Sequence, residues 1–284
     1  MNKLIVITGP TAVGKTEVAI DVAKSLRTEI ISCDSRQMYR EMRIGTAVPT
    51  AEELSAVPHH FIGNLSIHDY YNVSMFEQEC LQLLDKLFMK YQTVVMTGGS
   101  GLYIDALCKG IDDFPTVDPE IRKTVADWFE TGGIEYLRRQ LKILDPEHHA
   151  KVDLRNHKRI MKAIEVSLQT GKSYSSFLTA KERKRPFEIE KMALNRPREE
   201  LYERINRRTT LMMEEGLLQE AEALYPYRHL NALNTVGYKE LFAHIDGQYD
   251  LNTAIELIRR NTRHYAKRQI TWLMRDSELI WKEL

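Results

Sequence analysis

GPTAVGKT, residues 9–16, decides the reading of this chain. It fits G-x-x-x-x-G-K-[ST], and its neighbours are the ones such a loop needs. LIVIT at residues 4–8 reads as a buried strand before it, and residues 17–26 read as a helix after it, with Val18, Ala19, Val22, Ala23 and Leu26 on one face. In a strand–loop–helix of this kind the backbone N–H groups converge on phosphate oxygens, the lysine adds a point charge and the hydroxyl reaches a magnesium ion. Gly9, Pro10, Thr11, Ala12, Val13, Gly14, Lys15 and Thr16 are therefore expected to hold a di- or triphosphate, with Mg²⁺ at Thr16.

Working outward, residues 1–112 alternate strands and helices. Residues 29–32 read as a second short strand. Residues 74–91 read as a helix opened by a Ser74/Glu77 capping box, with Phe76, Cys80, Leu83, Leu84, Leu87 and Phe88 at helical spacing. TVVMT at 93–97 reads as a third strand running into Gly98-Gly99-Ser100-Gly101. This order implies a parallel sheet covered by helices, with ligands at the carboxyl ends of the strands. Three polar loops meet at that edge: residues 9–16, 33–37 and 98–103.

From 113 to 186 the pattern becomes helical. Asp118-Pro119-Glu120 reads as a helix start, Gly132-Gly133 as a break, and residues 159–168 as a helix that stops near Gly171. Residues 187–194 (FEIEKMAL) return as a strand, Pro197 opens a helix running through Met213, and residues 254–274 are the longest helix candidate of the last third. The expected fold class is α/β: a P-loop NTPase-like parallel sheet core built from 1–112 and 187–284, interrupted by a helical insertion domain at 113–186.

The 284 residues are 43% hydrophobic and 28% charged, which suits a globular chain and excludes disorder. Forty basic residues balance forty acidic ones, so only local patches can speak about nucleic acid. Cys33, Cys80 and Cys108 are isolated, which argues against a disulfide framework and a zinc site and for a reducing compartment. Met1-Asn2-Lys3 leads directly into the first strand, and no run of 18 apolar residues occurs, so a cytoplasmic protein with no membrane partner is expected. His59 and His60 read as loop residues. With no exposed apolar seam evident, a monomer is the default.

Asp34 follows the second strand, so its carboxylate belongs at the phosphate edge, where it could ligate magnesium or act as a general base; a turn role in Asp34-Ser35 is the local alternative. TVVM is followed by Thr97-Gly98-Gly99 and no acid, so the metal-holding carboxylate of nucleotide hydrolases is missing. Two basic segments stand out. Residues 151–185 carry ten Lys or Arg against Asp153, Glu165 and Glu182. Residues 259–275 carry Arg259, Arg260, Arg263, Lys267, Arg268 and Arg275, interleaved with Tyr265 and Trp272. Cations interleaved with aromatics suit phosphate contact and base stacking, with a solvated helix face as the bland alternative.

Nine segments together resemble one family, the transfer RNA dimethylallyltransferases, also called isopentenyl transferases. They are GPTAVGKT (9–16), DSRQMY (34–39), IGTAVPT (44–50), VPHHFI (57–62), GGSGLY (98–103), DPEIR (118–122), KRIMKAIEV (158–166), NTVGYKEL (234–241) and KRQITWL (267–273), in family order across nearly the whole chain. The resemblance implies that the loop holds the diphosphate of dimethylallyl diphosphate and hydrolyses no nucleoside triphosphate. The acceptor would be N6 of adenine 37, next to the anticodon of tRNA, with Asp34 taking the N6 proton and Lys15 and Thr16 serving the leaving diphosphate. One or both of Arg204 and Arg208 would face that diphosphate. The tRNA would be met by Asp34, Ser35, Arg36, Gln37, Ser100 and Arg122, by Lys158, Arg159, Ile160, Met161 and Lys162, by Asn234, Thr235, Val236, Gly237, Tyr238 and Lys239, and by Lys267, Arg268, Gln269, Ile270, Thr271, Trp272, Leu273 and Met274.

Departures are modest: Ser100 stands where the family commonly has threonine and Val48 where it has lysine, with Arg43 near. The short tail after Trp281 points to a bacterial type without a zinc-finger extension. An adenylate isopentenyltransferase acting on free AMP, ADP or ATP is the nearest rival, but its acceptor needs no stem-gripping insertion. A P-loop small-molecule kinase and a non-enzymatic RNA-binding protein are more distant alternatives.

Overall fold

The computed structural model describes residues 1–112, 114–179 and 183–284; the expected insertion boundary at Asp113 and two charges of the first basic segment, Lys181 and Glu182, lie outside the described residues. The chain divides into two compact units, Met1–Lys109 with Lys184–Leu284, and Gly110–Arg183. The division thus falls at 110–183 where the sequence reading put 113–186.

In the first unit the order is β1 (Lys3–Thr8), α1 (Lys15–Leu26), β2 (Ile30–Ser32), α2 (Ala51–Ala56), β3 (His59–His60), α3 (Val73–Phe88), β4 (Thr93–Gly98) and α4 (Gly101–Lys109). The second unit holds α5 (Pro119–Leu144), α6 (Pro146–Lys151) and α7 (His157–Thr170). The chain then completes the first unit with β5 (Glu188–Asn195), α8 (Arg198–Glu214), α9 (Leu217–Leu224), α10 (Tyr238–Ile245), α11 (Leu251–Leu273) and β6 (Ile280–Glu283).

Among the described residues the sheet has six strands in the order β3-β2-β4-β1-β5-β6, all parallel. Covered on both faces, β1 reads as an unbroken apolar run, and Leu4, Val6 and Ile7 are fully buried. Leu4 and Val6 point to the side closed by Phe76 and Leu84 of α3 and Leu107 of α4. Ile7 points to the side closed by Ala19 and Ala23 of α1, Leu201 and Ile205 of α8 and Ala266 of α11. A further cluster away from the sheet packs α9, α10 and the start of α11 around Met42 and Tyr238. The α/β parallel core read from the sequence is therefore present, with two strands the sequence reading lacked: β3, where His59 and His60 run beside β2 as an edge and not as a loop, and β6, which extends the opposite edge beyond β5. Among the described residues no helix is long and apolar enough to cross a membrane.

Two local expectations change. The cap of α3 is Asn72, whose side chain accepts from the amides of Ser74 and Met75, not a Ser74/Glu77 box. Glu77 is instead buried against Arg185 at 2.5 Å, and Arg185 also donates to the carbonyls of Leu107 and Ala106. Arg185 thus belongs to the core and leaves the basic surface counted from the sequence.

In the second unit, Asp118 caps α5 with Pro119 in its first turn, and α5 is kinked at Gly133, where φ is 62°. Only glycine takes that conformation without strain. The helix α7 is capped by Asn156 and ended by left-handed Gly171. Its Ile160, Ala163 and Ile164 pack on Val125, Leu137 and Leu141 of α5, the pairing expected of helical spacing.

Candidate active site

The phosphate loop leaves β1 at Gly9, whose φ is +147° and where a Cβ would fall 2.6 Å from the Leu194 carbonyl oxygen. Gly14, at φ 107°, caps α1. Lys15 opens that helix and donates from Nζ to the carbonyl oxygen of Pro10 at 2.7 Å. Burial lowers its pKa to about 8; the Arg208 guanidinium adds to this and the Asp34 carboxylate opposes it. Arg208 donates to Thr11 Oγ1 at 2.5 Å and is itself lowered to about 10, again chiefly by burial. Two neighbours complete a row along the loop: Arg204 Nε donates to the Ala12 carbonyl and Arg196 Nε to the Val13 carbonyl, both at 2.8 Å. Arg204 is exposed whereas Arg208 is not. Burying cations is costly unless an anion joins them, so Lys15 and Arg208, with Asp34 opposing both shifts, make a chamber that favours an anionic ligand.

Asp34 follows β2 and does two things. Its Oδ1 accepts from the amides of Arg36 at 2.8 Å and Gln37 at 3.3 Å, which is the turn role that local sequence allows. Its Oδ2 has no hydrogen bond among the described residues. The neighbouring Ser35 amide donates to Ser100 Oγ at 3.0 Å, joining the DSRQ loop to the GGSGLY loop. Gln37 donates from Nε2 to the carbonyls of Thr46 and Ala47, and Arg36 to the Asn231 carbonyl.

Two cavities meet at Asp34. One is lined by Gly14, Lys15, Thr16, Ser32, Arg204 and Arg208 together with Asp34. The other is lined by Arg36, Met212, Thr235, Val236, Gly237 and Tyr265 together with Asp34. Thr11, Thr46, Ala47 and Arg208 also belong to both walls. The carboxylate therefore stands where a group held by the phosphate loop would face a group entering from the second cavity.

The second wall is fixed by a residue the sequence reading missed. Glu220 of α9 accepts from the amides of Arg43, Ile44 and Gly45, each at 2.9 Å, and from the Tyr238 hydroxyl at 2.6 Å. Tyr238 is fully buried, so of the 234–239 segment Thr235, Val236 and Gly237 line the cavity, Asn234 is partly exposed, Lys239 is exposed, and Tyr238 is core and unavailable to RNA. The same separation runs through the other segments expected to touch RNA. Lys158 and Arg159 are exposed on α7, Ile160 is core, Met161 packs on that core, and Lys162 lies 5.7 Å from the Phe114 ring. Arg122, near the start of α5, is partly exposed.

Along α11, Lys267, Arg268 and Thr271 are exposed, as is Met274 just after it, while Leu273 is buried and Ile270 packs on the sheet core. Trp272, partly exposed, donates to Asp105 Oδ2 at 2.9 Å and lies where a side chain on Gly101 would be. Tyr265, on the same helix, is the aromatic that reaches the second cavity. Gln269 is buried and turned to the two reaction loops, away from the surface.

Among the described residues no group of three or more His, Cys, Asp and Glu could hold a metal ion. Thr16 is in the wall of the cavity that holds Lys15 and Arg208. His60 pairs with Glu29 at 2.6 Å, and the His59 Nδ1 meets the Val57 carbonyl at 2.8 Å.

Residues 37–276 match the family described as IPP transferase. A tRNA dimethylallyltransferase 1 of Bacteroides thetaiotaomicron is 51% identical over 281 residues, covering 99% of this chain and 91% of its own. A tRNA dimethylallyltransferase 2 of Parabacteroides distasonis is 52% identical, also over 281 residues, covering 99% and 94%. Among solved structures, a tRNA isopentenylpyrophosphate transferase from Bacillus halodurans is similar at a TM-score of 0.72 and 35% identity, covering 100% of this chain and 90% of its own. A eukaryotic dimethylallyltransferase acting on tRNA is similar at a TM-score of 0.84 and 25% identity, covering 100% and 74%.

Proposed function

Because the chain belongs to the IPP transferase family, we propose that it transfers the dimethylallyl group of dimethylallyl diphosphate to N6 of adenine 37, next to the anticodon of tRNA. The observation that carries this reading is the position of Asp34 in the walls of both cavities, with the half-buried cations Lys15 and Arg208 on one side and Tyr265 on the other.

On this reading the diphosphate lies against Lys15, Arg208 and the loop, and the adenine enters from the side of Thr235, Val236 and Tyr265. The N6 lone pair attacks C1, the C1–O bond breaks, its electron pair leaves with diphosphate, and Asp34 Oδ2 takes the N6 proton. An exocyclic amine is a weak nucleophile, so a positioned base is worth about 10²- to 10⁴-fold. Asp34 is ready for this because Oδ1 is already committed to the Arg36 and Gln37 amides, which fixes the carboxylate while Oδ2 stays available. The cations stabilise charge that grows on the leaving group. An unpaired anticodon-loop base also costs less to unstack than one in a duplex.

Thr16, in the wall of the phosphate cavity, would offer its hydroxyl to Mg²⁺. Bound there, it would add positive charge to the leaving group. The exposed cations Lys158 and Arg159, with Lys267 and Arg268, supply phosphate contacts. One protomer carries both cavities, so the chain acts as a monomer on this reading. Its three buried free cysteines suit the reducing cytoplasm.

Transfer of labelled dimethylallyl diphosphate, with Mg²⁺, to an unmodified anticodon stem-loop tests the reading, with AMP as a parallel acceptor. Label on the RNA alone is expected. Label on AMP alone would move the chain to the adenylate-modifying rival.

A further inference from the structure

Gln269 joins the two reaction loops through one amide. Its Oε1 accepts from the Thr11 amide at 2.8 Å and its Nε2 donates to the Gly99 carbonyl oxygen at 2.9 Å. The side chain is 7% exposed, and the two partners lie 258 and 170 residues away in sequence. The fit is close: a Cβ on Gly99 would fall 2.2 Å from Nε2. Because the Thr11 amide can only donate, the orientation of the Gln269 amide is set by its partners.

Each end leads into the machinery. Thr11 is also the residue on which Arg208 lands. Gly99 precedes Ser100, whose hydroxyl accepts from the Ser35 amide beside Asp34. One side chain thus ties the loop that holds the leaving group to the 98–103 loop, which Ser100 in turn joins to the loop that carries the base. It does so from α11, whose Lys267, Arg268 and Thr271 are exposed and whose Tyr265 lines the second cavity.

We propose that Gln269 is a positioning residue for the transfer: its amide fixes the phosphate loop against the 98–103 loop that braces the base loop through Ser100, and makes the register of α11 part of the reactive geometry. The inference rests on the reaction proposed above. A displacement of about 1 Å between reacting groups can cost on the order of 10²-fold in rate, so loss of this bridge falls on kcat.

The full-length chain carrying Gln269→Met, which keeps the length and loses both bonds, is compared with wild type. Its kcat is expected to fall by roughly 10²-fold, while KM for the RNA stays within about twofold. Its affinity for inorganic diphosphate, measured without RNA, is expected to fall by about tenfold as the Thr11 amide is freed. Gln269→Glu keeps the acceptor for Thr11 and regains the donor to Gly99 only when protonated. Its activity relative to wild type therefore rises as pH falls, which a merely structural side chain would not produce.

Wild-type kcat in the Met variant with unchanged diphosphate affinity would overturn the inference, as would a loss confined to KM for RNA, which would make Gln269 an RNA contact. Should the Met variant fail to fold, the Glu variant decides by its pH ratio, a flat ratio counting against the proposal. Absence of transfer by wild type overturns the reaction reading, and the diphosphate measurement then tests the bridge by itself.

Discussion

The Lys15 ammonium donates to the Pro10 carbonyl oxygen at 2.7 Å, tying the end of the phosphate loop back to its beginning. The same ammonium has a pKa lowered to about 8 by burial and by Arg208, from an ordinary 10.5. Relative to Lys15→Met, which cancels the ionisation of the ligand itself, diphosphate affinity should be flat below about pH 7.5 and weaken toward tenfold per pH unit above 8, as the cation is lost. For stability the sign is opposite. Between 8 and 10.5 the unfolded chain binds more protons than the folded one, so the ligand-free protein gains stability as pH rises through that window. Calorimetric titration of the two proteins with diphosphate from pH 7 to 9.5, paired with thermal melts, checks both signs; a flat relative affinity across the range would remove Lys15 from the binding step.

Asp34→Asn keeps an oxygen for the Arg36 and Gln37 amides and removes the base. RNA affinity should stay close to wild type while turnover falls by about 10²- to 10⁴-fold. Equal loss of both in filter-binding and single-turnover assays would show that the carboxylate serves the loop alone.

The two arginines of α8 that face the loop should separate. Arg208 is half-buried and bonded to Thr11 in the wall of the phosphate cavity, so Arg208→Met should weaken diphosphate binding by about 2–3 kcal/mol. Arg204 is exposed, and Arg204→Ala should cost under about 1 kcal/mol. Direct titration of each variant with diphosphate decides, and a larger loss from Arg204 would reverse the assignment.

Arg185 and Glu77 form a buried pair, so removing one partner strands the other. Arg185→Met should destabilise the protein by about 3–5 kcal/mol. The joint replacement Arg185→Met with Glu77→Leu should recover much of that loss. Denaturant melts of the single and double variants provide the cycle; a near-neutral single variant would return Arg185 to the RNA surface.

Charge reversal at Lys158 and Arg159, both exposed on α7, should weaken stem-loop binding and flatten the dependence of log K on log salt by roughly 1.5 to 2. An unchanged slope would exclude this face from phosphate contact.

Much of this was legible in the chain, and the remainder was hidden for definite reasons. The strands β1 and β4 are apolar runs next to glycine loops, and Asp34 is an acid just past a strand, so each announces itself locally. In contrast, β6 is four exposed residues that become a strand only because β5 lies alongside. Arg196, Glu220 and Gln269 act on loops 170 or more residues away in sequence, and nothing near them marks this. Segment resemblance also transfers whole stretches, whereas a helix turns some of its residues inward. Ile160 and Leu273 are turned inward for that reason.

The strand order has a consequence for how the protein is made. The central strand β1 pairs with β4 on one side and with β5 on the other, Lys3 lying opposite both Thr93 and Glu188. At about 5–20 residues per second of synthesis, β1 waits on the order of ten seconds or more after it emerges before its second neighbour exists. Throughout that interval the amino-terminal half presents an apolar strand with one unpaired edge, the kind of surface that invites wrong partners. The helical unit at 110–183 is made during the wait and gathers its own core from Val125, Leu137, Ile160 and Ile164. Truncation anywhere before residue 195 would leave a nascent chain that chaperones must shield, whatever becomes of its chemistry.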